Sequence, residues 1–270
     1  GVQTCALPIY GVEMNMFDLT GQVAVVTGAS SGLGADAARA YAAQGAQVAL
    51  LARRKEKLES VVAEIEAAGG TAIAVPCDVS NEENVKNAVK TVLDHFGKID
   101  ILLNDAGIAV GGSVEDLPAE QWDRVMSINA KGPYLMSKYV IPGMKERKYG
   151  KVVNVASVNA ILGDKPAPLV QHSYNASKGS VMGLTIGMAA SLMQYGITVN
   201  AVCPGLFESE MTENTLFKAK DFMKMYNSLC PASRPGRKGE LSGTILFLSS
   251  EASSYVTGQA IVVDGGFSIT

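Results

Sequence analysis

Tyr174-Asn-Ala-Ser-Lys178 sets a phenol and an ammonium four residues apart. On a helix that spacing puts both on one face, where the Lys charge stabilises a phenolate. A proton donor or acceptor for an alcohol or carbonyl oxygen needs such help, because a free Tyr titrates near ~10, too high for efficient base work at neutral pH. Alone, Tyr-x-x-x-Lys is a frequent accident on helices. A second feature upstream supplies context: Gly28, Gly32 and Gly34, in the run Thr27-Gly-Ala-Ser-Ser-Gly-Leu-Gly34. They follow the apolar stretch Val23–Val26 and precede the Ala-rich pattern Ala35–Ala43. Strand, glycine turn, helix is the setting in which backbone approaches a pyrophosphate and a helix offers it free N–H groups.

The glycine spacing is Gly-x-x-x-Gly-x-Gly rather than the commoner Gly-x-Gly-x-x-Gly. With Thr27 in front, it resembles the cofactor loop of the short-chain dehydrogenase/reductase family, and Tyr174 and Lys178 stand where that family carries its second motif. The resemblance covers about residues 17–270. It implies a nicotinamide cofactor that carries the hydride, held by the loop Gly28 to Gly34 with Ser30, Ser31 and Leu33. Cys77-Asp78-Val79 matches the family's Asp-Val at the adenine. Asn104-Asp-Ala-Gly107 matches Asn-Asn-Ala-Gly, with Asp105 in place of the second Asn; the main-chain contact at Ala106 and Gly107 is kept, while local hydrogen bonding is open to change. Pro204-Gly205, with Phe207 and Ser209, matches the Pro-Gly-x-x-x-Thr segment near the nicotinamide and pyrophosphate, Ser replacing Thr. Asn129, in Ser127-Ile-Asn-Ala-Lys131, matches an Asn that positions a proton-relay water. With Ser157, placed at a strand end to hold the substrate oxygen, these residues resemble the family's Asn–Ser–Tyr–Lys tetrad. The resemblance further implies that Lys178 contacts the nicotinamide ribose.

Which nicotinamide cofactor is decided after the second strand. An acid there would bond the ribose 2′-hydroxyl, but Ala52 stands in its place, followed by Arg53, Arg54 and Lys55. Arg presents planar donors suited to phosphate oxygens, so NADP(H) is expected, with Ser30 and Ser31 also in reach of the 2′-phosphate. The expected reaction interconverts a secondary alcohol and a ketone. The chain is similar to the group of gluconate 5-dehydrogenases and 3-oxoacyl-carrier-protein reductases, which leaves a sugar acid, polyol, acyl thioester or steroid-like ketone as substrate. A catalytically silent dinucleotide-binding sensor or scaffold on the same fold is the alternative; such a relative would usually lack Tyr or Lys, and both are present. Asp164-Lys-Pro-Ala-Pro168 reads as an insertion beside the site that shapes substrate choice. Asn159 is a candidate substrate contact, and His172 a weaker one.

Composition fits one enzyme domain. The chain has 270 residues, 47% of them hydrophobic, and a formal net charge of −3, without the basic clusters that nucleic acid or an anionic membrane would call for. No apolar run reaches the length of a membrane span. Cys5, Cys77, Cys203 and Cys230 are scattered, without metal-site or disulfide-scaffold spacing, which suits reduced thiols and a cytoplasmic location. With only His95 and His172, no metal site is expected. Residues 1–13 are read as a non-native, sequencing-adapter-derived scar: Gly1 to Ile9 carries no charge, unlike a signal peptide. The start is then Met14 or Met16.

Apolar runs at Val23–Val26, Ala46–Leu51, Thr71–Val75, Ile99–Leu103, Lys151–Val155, Thr198–Val202 and Ala260–Val263 alternate with helical periods. The helices are expected at Ala35–Ala43, Lys55–Ala68, a segment from a Ser80–Glu83 capping box to about Phe96, Pro118–Lys148 with breaks near Gly132-Pro133 and Pro142, Tyr174–Tyr195 and Gly239–Leu248. The pattern predicts a single α/β Rossmann-fold domain over 14–270, a doubly wound parallel sheet of about seven strands with helices on both faces. The irregular stretch 206–237 carries Phe207, Met211, Leu216, Phe217, Phe222, Met223, Met225 and Tyr226, and is expected to be a lid. The helix from Tyr174 is apolar on more than one face, which calls for a second burial partner and, with the resemblance, a homotetramer.

Overall fold

The computed structural model describes residues 15–163, 169–208, 212 and 217–270. Residues 1–14, the expected insertion 164–168, and Ser209, Met211 and Leu216 lie outside them.

Seven strands form one parallel sheet: β1 (Val23–Thr27), β2 (Gln47–Ala52), β3 (Thr71–Pro76), β4 (Ile101–Asn104), β5 (Gly150–Val155), β6 (Ile197–Pro204) and β7 (Ala260–Val263). Their order is β3-β2-β1-β4-β5-β6-β7, every pair parallel. Successive strands run outward from β1 to β3, then the chain crosses back to β4 beside β1. That reversal leaves a crevice at the carboxyl ends of β1 and β4, where ligands of such sheets bind.

The strands are apolar almost throughout because both faces are covered. Residues of one parity, Ala24, Val26, Val48, Leu50, Ile101 and Leu103, pack with α1 (Gly32–Ala43), α2 (Lys55–Ala67) and the last helix, α8 (Ser242–Ser249). The other parity, Val23, Val25, Ala49 and Leu102, packs with α3 (Glu82–Phe96), α5 (Gly132–Arg147) and α6 (His172–Leu192). Between β4 and α5 come α4 (Ala119–Met126) and a π-helical turn, Ser127–Lys131. The stretch 206–237 contains α7 (Lys220–Leu229). Among the described residues no helix is long and apolar enough to cross a membrane.

Three local expectations need correcting. The cap of α3 is Asn81, whose Oδ1 accepts from the Asn84 N–H at 3.0 Å; Ser80 is taken up by Asp78, to which its hydroxyl donates at 2.6 Å. Pro142 does not break α5 but sits within it, on the exposed side, while the break ahead of Pro133 is the π-helical turn. The last helix starts at Ser242 rather than Gly239, whose φ of +82° belongs to a turn.

Candidate active site

The crevice at the switch point is a cleft of about 310 Å³. One end of its floor is the β1–α1 turn, and close packing there explains its glycines. Gly28 has φ +71°, and a Cβ on it would stand 2.9 Å from the Ala106 nitrogen. A Cβ on Gly34 would lie 2.7 Å from both the Gly28 carbonyl oxygen and Asp105 Oδ2. Thr27 Oγ1 ties the two turns together by accepting the N–H groups of Asp105 and Ala106 at 3.0 and 3.1 Å. Gly28, Ser30, Ser31, Gly32 and Leu33 line the cleft, and Gly34 is buried just behind them.

Beyond the end of β2, Ala52, Arg53 and Arg54 line the same cleft. The Arg54 guanidinium donates to Ser30 Oγ at 3.1 Å and Ser31 Oγ at 3.4 Å. A cation and two hydroxyls thus converge where the sequence placed a 2′-phosphate. Asp78 and Val79 line the neighbouring wall. Burial works against the Asp78 carboxylate, but bonds from Ser80 and the Arg53 charge hold its pKa below the ordinary value. Ala106, Gly107, Pro204, Gly205 and Phe207 complete the predicted lining; the Ser209 expectation lies outside the described residues.

At the other end, β5 delivers Ser157 and the first turns of α6 deliver Tyr174 and Lys178, all three facing the cleft. Ser157 stands beside Tyr174 in the cleft, close enough to act on its hydroxyl, and its Oγ accepts the Asn159 N–H at 3.1 Å. Burial raises the Tyr174 pKa above its ordinary value; the Ser157 side chain opposes this and the Asp105 charge adds to it. Lys178 Nζ donates to the Val155 carbonyl at 2.7 Å and stands 5.6 Å from the Tyr174 ring centre. Burial lowers its pKa to about 8, while Asp105 and Cys203 act in the opposite sense. In this state the phenol is held protonated rather than primed as a phenolate.

Two predicted residues sit behind the cleft. Asn129, in the π-helical turn, is buried, and its Nδ2 donates to Ile108 O at 2.8 Å and Ser177 Oγ at 3.0 Å while its Oδ1 accepts the Ile108 N–H at 2.9 Å. Its side chain stitches the β4 loop to α6. A π-turn adds a residue to the helix and re-aims its backbone, a frequent device at functional sites. Asn104 is buried in the sheet, donating to Asn154 Oδ1 at 2.9 Å. His172 faces away: its Nδ1 accepts the Val114 N–H at 3.0 Å, and it lines a separate hollow with Leu117 and Trp122. Asn159 holds the Nδ2 of Asn175 on its carbonyl at 2.8 Å and is not among the residues lining the cleft. Residues that sequence reasoning did not single out as lining include Ile108, Ile128 and Thr212; an apolar loop position such as Ile108 carries no signal of its own. Of the expected lid, Phe207 lines the cleft, whereas Tyr226 stacks on Phe267 at 5.0 Å between ring centres.

A parallel sheet with this crevice, glycine turn and Ser–Tyr–Lys cluster defines a class, and comparison with known proteins agrees. The chain belongs to the short-chain dehydrogenase/reductase family. A family model described as enoyl-(acyl carrier protein) reductase matches residues 28–268. A 3-oxoacyl-[acyl-carrier-protein] reductase of Synechocystis sp. is 40% identical over 93% of this chain and 98% of its own. A gluconate 5-dehydrogenase of Gluconobacter oxydans is 38% identical over 95% and 98%. The crystal structure of a gluconate 5-dehydrogenase from Burkholderia cenocepacia, in complex with NADP and tartrate, superimposes with a TM-score of 0.89 at 33% identity, covering 94% of this chain and 98% of that one.

Proposed function

We propose that this protein is an NADP(H)-dependent oxidoreductase that interconverts a secondary alcohol and a ketone, with Tyr174 as general acid/base. The observation that carries the reading is one cleft holding two chemistries. Arg54 on Ser30 and Ser31 offers a phosphate subsite at one end, and Tyr174 beside Ser157 offers a proton at the other. The cleft fits the dinucleotide: the glycine turn is too tightly packed for side chains at Gly28 and Gly34, and Gly32 and Leu33, in the first turn of α1 where N–H groups are free for an anion, line it. When bound, the nicotinamide supplies or accepts the hydride.

The remaining work falls to this chain. Ser157 Oγ orients the substrate oxygen and the Tyr174 hydroxyl toward each other. Tyr174, held protonated by burial, gives its proton to a carbonyl oxygen as it becomes an alkoxide; oxidation runs the same path backwards. Lys178 brings positive charge beside the phenol and stabilises the phenolate left after proton transfer. Asn129 keeps the β4 loop and α6 in register, so that Gly107 and Lys178 stay together. With its pKa raised, the phenol is in the form that donates a proton to a ketone oxygen at neutral pH.

The small-molecule substrate falls among sugar acids, polyols, acyl thioesters and steroid-like ketones, with relatives named for acyl-carrier-protein and gluconate chemistry supporting the first and third. The stretch 206–237 acts as a lid over it, and the enzyme works as a cytoplasmic homotetramer. NADPH consumption across a panel of sugar-acid, acyl-thioester and steroid ketones tests the reading. Turnover of at least one class supports it; tight NADPH binding with no turnover of any ketone favours the silent sensor.

A further inference from the structure

We propose that Asp105 is a proton-linked positioning residue: its carboxylate lies against the first turn of α1 and takes up a proton when the pyrophosphate of a dinucleotide binds beside it. The inference rests on the cofactor reading above and concerns this chain's own departure, an acid where the motif it resembles has an amide.

The geometry begins at α1. Its ladder opens with the Ala35 N–H on the Ser31 carbonyl, so the N–H groups of Gly32, Leu33 and Gly34 precede it. The Ser31 side chain caps none of them, and the first turn holds no acid. Asp105 supplies the missing group from another element. From the turn after β4 its Oδ2 reaches over the Gly34 backbone, only 2.7 Å from where a Gly34 Cβ would stand, and the Gly34 N–H works to favour its charged form. Its backbone is pinned to Thr27 Oγ1, so the carboxylate has little room to withdraw. Gly32 and Leu33, whose N–H groups remain for a ligand, line the cleft together with Asp105.

A pyrophosphate on those two N–H groups therefore sets negative charge beside a negative carboxylate on the same helix turn. Like charges so close in a partly desolvated site do not both persist, and the group with the more accessible proton affinity neutralises. The charged and titratable groups facing Asp105 are Lys178 and Tyr174 from α6 and Asp36 from α1. Asp36 is itself paired with Arg39 at 3.1 Å and lies 3.9 Å from Lys238. From the β1 turn come only the hydroxyl and backbone of Thr27. Burial already pushes the Asp105 carboxyl up to about 6, against the Lys178 charge and the Gly34 N–H, with Asp36 adding to the rise. Bound anion raises it further, so the complex holds more protons than the free protein. Affinity then falls as pH climbs through the window from about 6 upward, by up to about tenfold per pH unit.

Infrared difference spectra, saturating NADP+ minus free protein at neutral pH, read this directly. A protonated-carboxyl C=O band should appear in the wild type and be missing in Asp105→Asn, which keeps an oxygen and the same shape beside Gly34 and so should fold. In parallel, the pH dependence of NADP+ affinity is compared in the two proteins. The 2′-phosphate titrates identically in both, so their difference isolates Asp105: the variant should bind more tightly above neutral pH and lose the alkaline weakening. NADP+ binding with no carboxyl band, or with the same band in the variant, overturns the proposal and leaves the cofactor reading standing. Failure of NADP+ to bind the wild type overturns both.

Discussion

Tyr174 and Arg54 carry the two halves of the account, and each makes a separable prediction. Arg54→Ala should weaken NADPH binding by about 10–100-fold, since a charge-assisted bond contributes roughly 1.5–3 kcal/mol, and should leave NADH affinity nearly unchanged. Fluorescence titration of both cofactors checks this; an equal loss for both would remove the 2′-phosphate from the Arg54 subsite. The raised Tyr174 pKa sets the sign of the pH profile. The acid form is present below that pKa, so ketone reduction should stay flat through neutral pH and fall only under alkaline conditions, whereas alcohol oxidation should rise with pH. A reduction rate that climbs with alkalinity would contradict the assignment of Tyr174 as the acid. At this scale the sequence was informative wherever the side chain itself does the chemistry. The Tyr–Lys spacing, the paired Arg and the absence of an acid at Ala52 could all be read directly. Asn129 could not: its place in the tetrad comes from resemblance, while its job of holding Ile108 and Ser177 depends on a π-turn that no local pattern announces. His172 points into another hollow because its Nδ1 finds the Val114 N–H across a contact between distant segments.

Among the elements, the β1–α1 turn is the least tolerant of change. Gly34→Ala would drive a methyl to 2.7 Å from Asp105 Oδ2 and the Gly28 carbonyl. Overpacking of this kind typically costs ~1–3 kcal/mol, and the displaced turn would also spoil the cofactor floor. The variant should therefore lose both thermal stability and NADPH affinity; Gly69→Ala, at a turn with φ +85° but no neighbour within 4 Å, should cost stability alone. Melting curves with and without NADPH separate the two, and an undiminished NADPH-induced shift in the Gly34 variant would refute the packing argument. Strand and helix positions were legible because a parallel sheet covered on both faces requires continuous apolar runs and helical periods between them. The errors fell where tertiary partners choose between local options. Ser80 matched a capping pattern, yet Asp78 claims its hydroxyl and Asn81 takes the cap. Pro142 looked like a break, but on the exposed side of α5 it is accommodated.

For the whole molecule, the sheet order follows from right-handed crossovers and short connections, but assembly does not follow from one chain. The long helices nevertheless present apolar surface: Ile186 on α6 is 58% exposed and Tyr134 on α5 is 48% exposed. Glycines at 179, 183 and 187 of α6 have no neighbour that a Cβ would meet, which lets another backbone approach. Closed two-fold interfaces are the commonest way to bury such faces. Multi-angle light scattering at micromolar concentration should give about four times the 28.3 kDa chain mass, and Ile186→Glu should shift it toward smaller species. A mass equal to a single chain would rule the tetramer out.

The central claim, that one cleft joins a phosphate subsite to a Tyr174 proton donor, is tested most directly by Tyr174→Phe. The hydroxyl lost there lies beside Ser157 and takes no part in the bonds of Arg54 to Ser30 and Ser31, so NADPH binding should persist. Single-turnover oxidation of bound NADPH, measured with the ketone that the wild type turns over best, should slow by ~10²–10⁴-fold, the usual worth of general acid–base catalysis. A Phe variant that binds NADPH normally and keeps half of the wild-type rate would contradict the account.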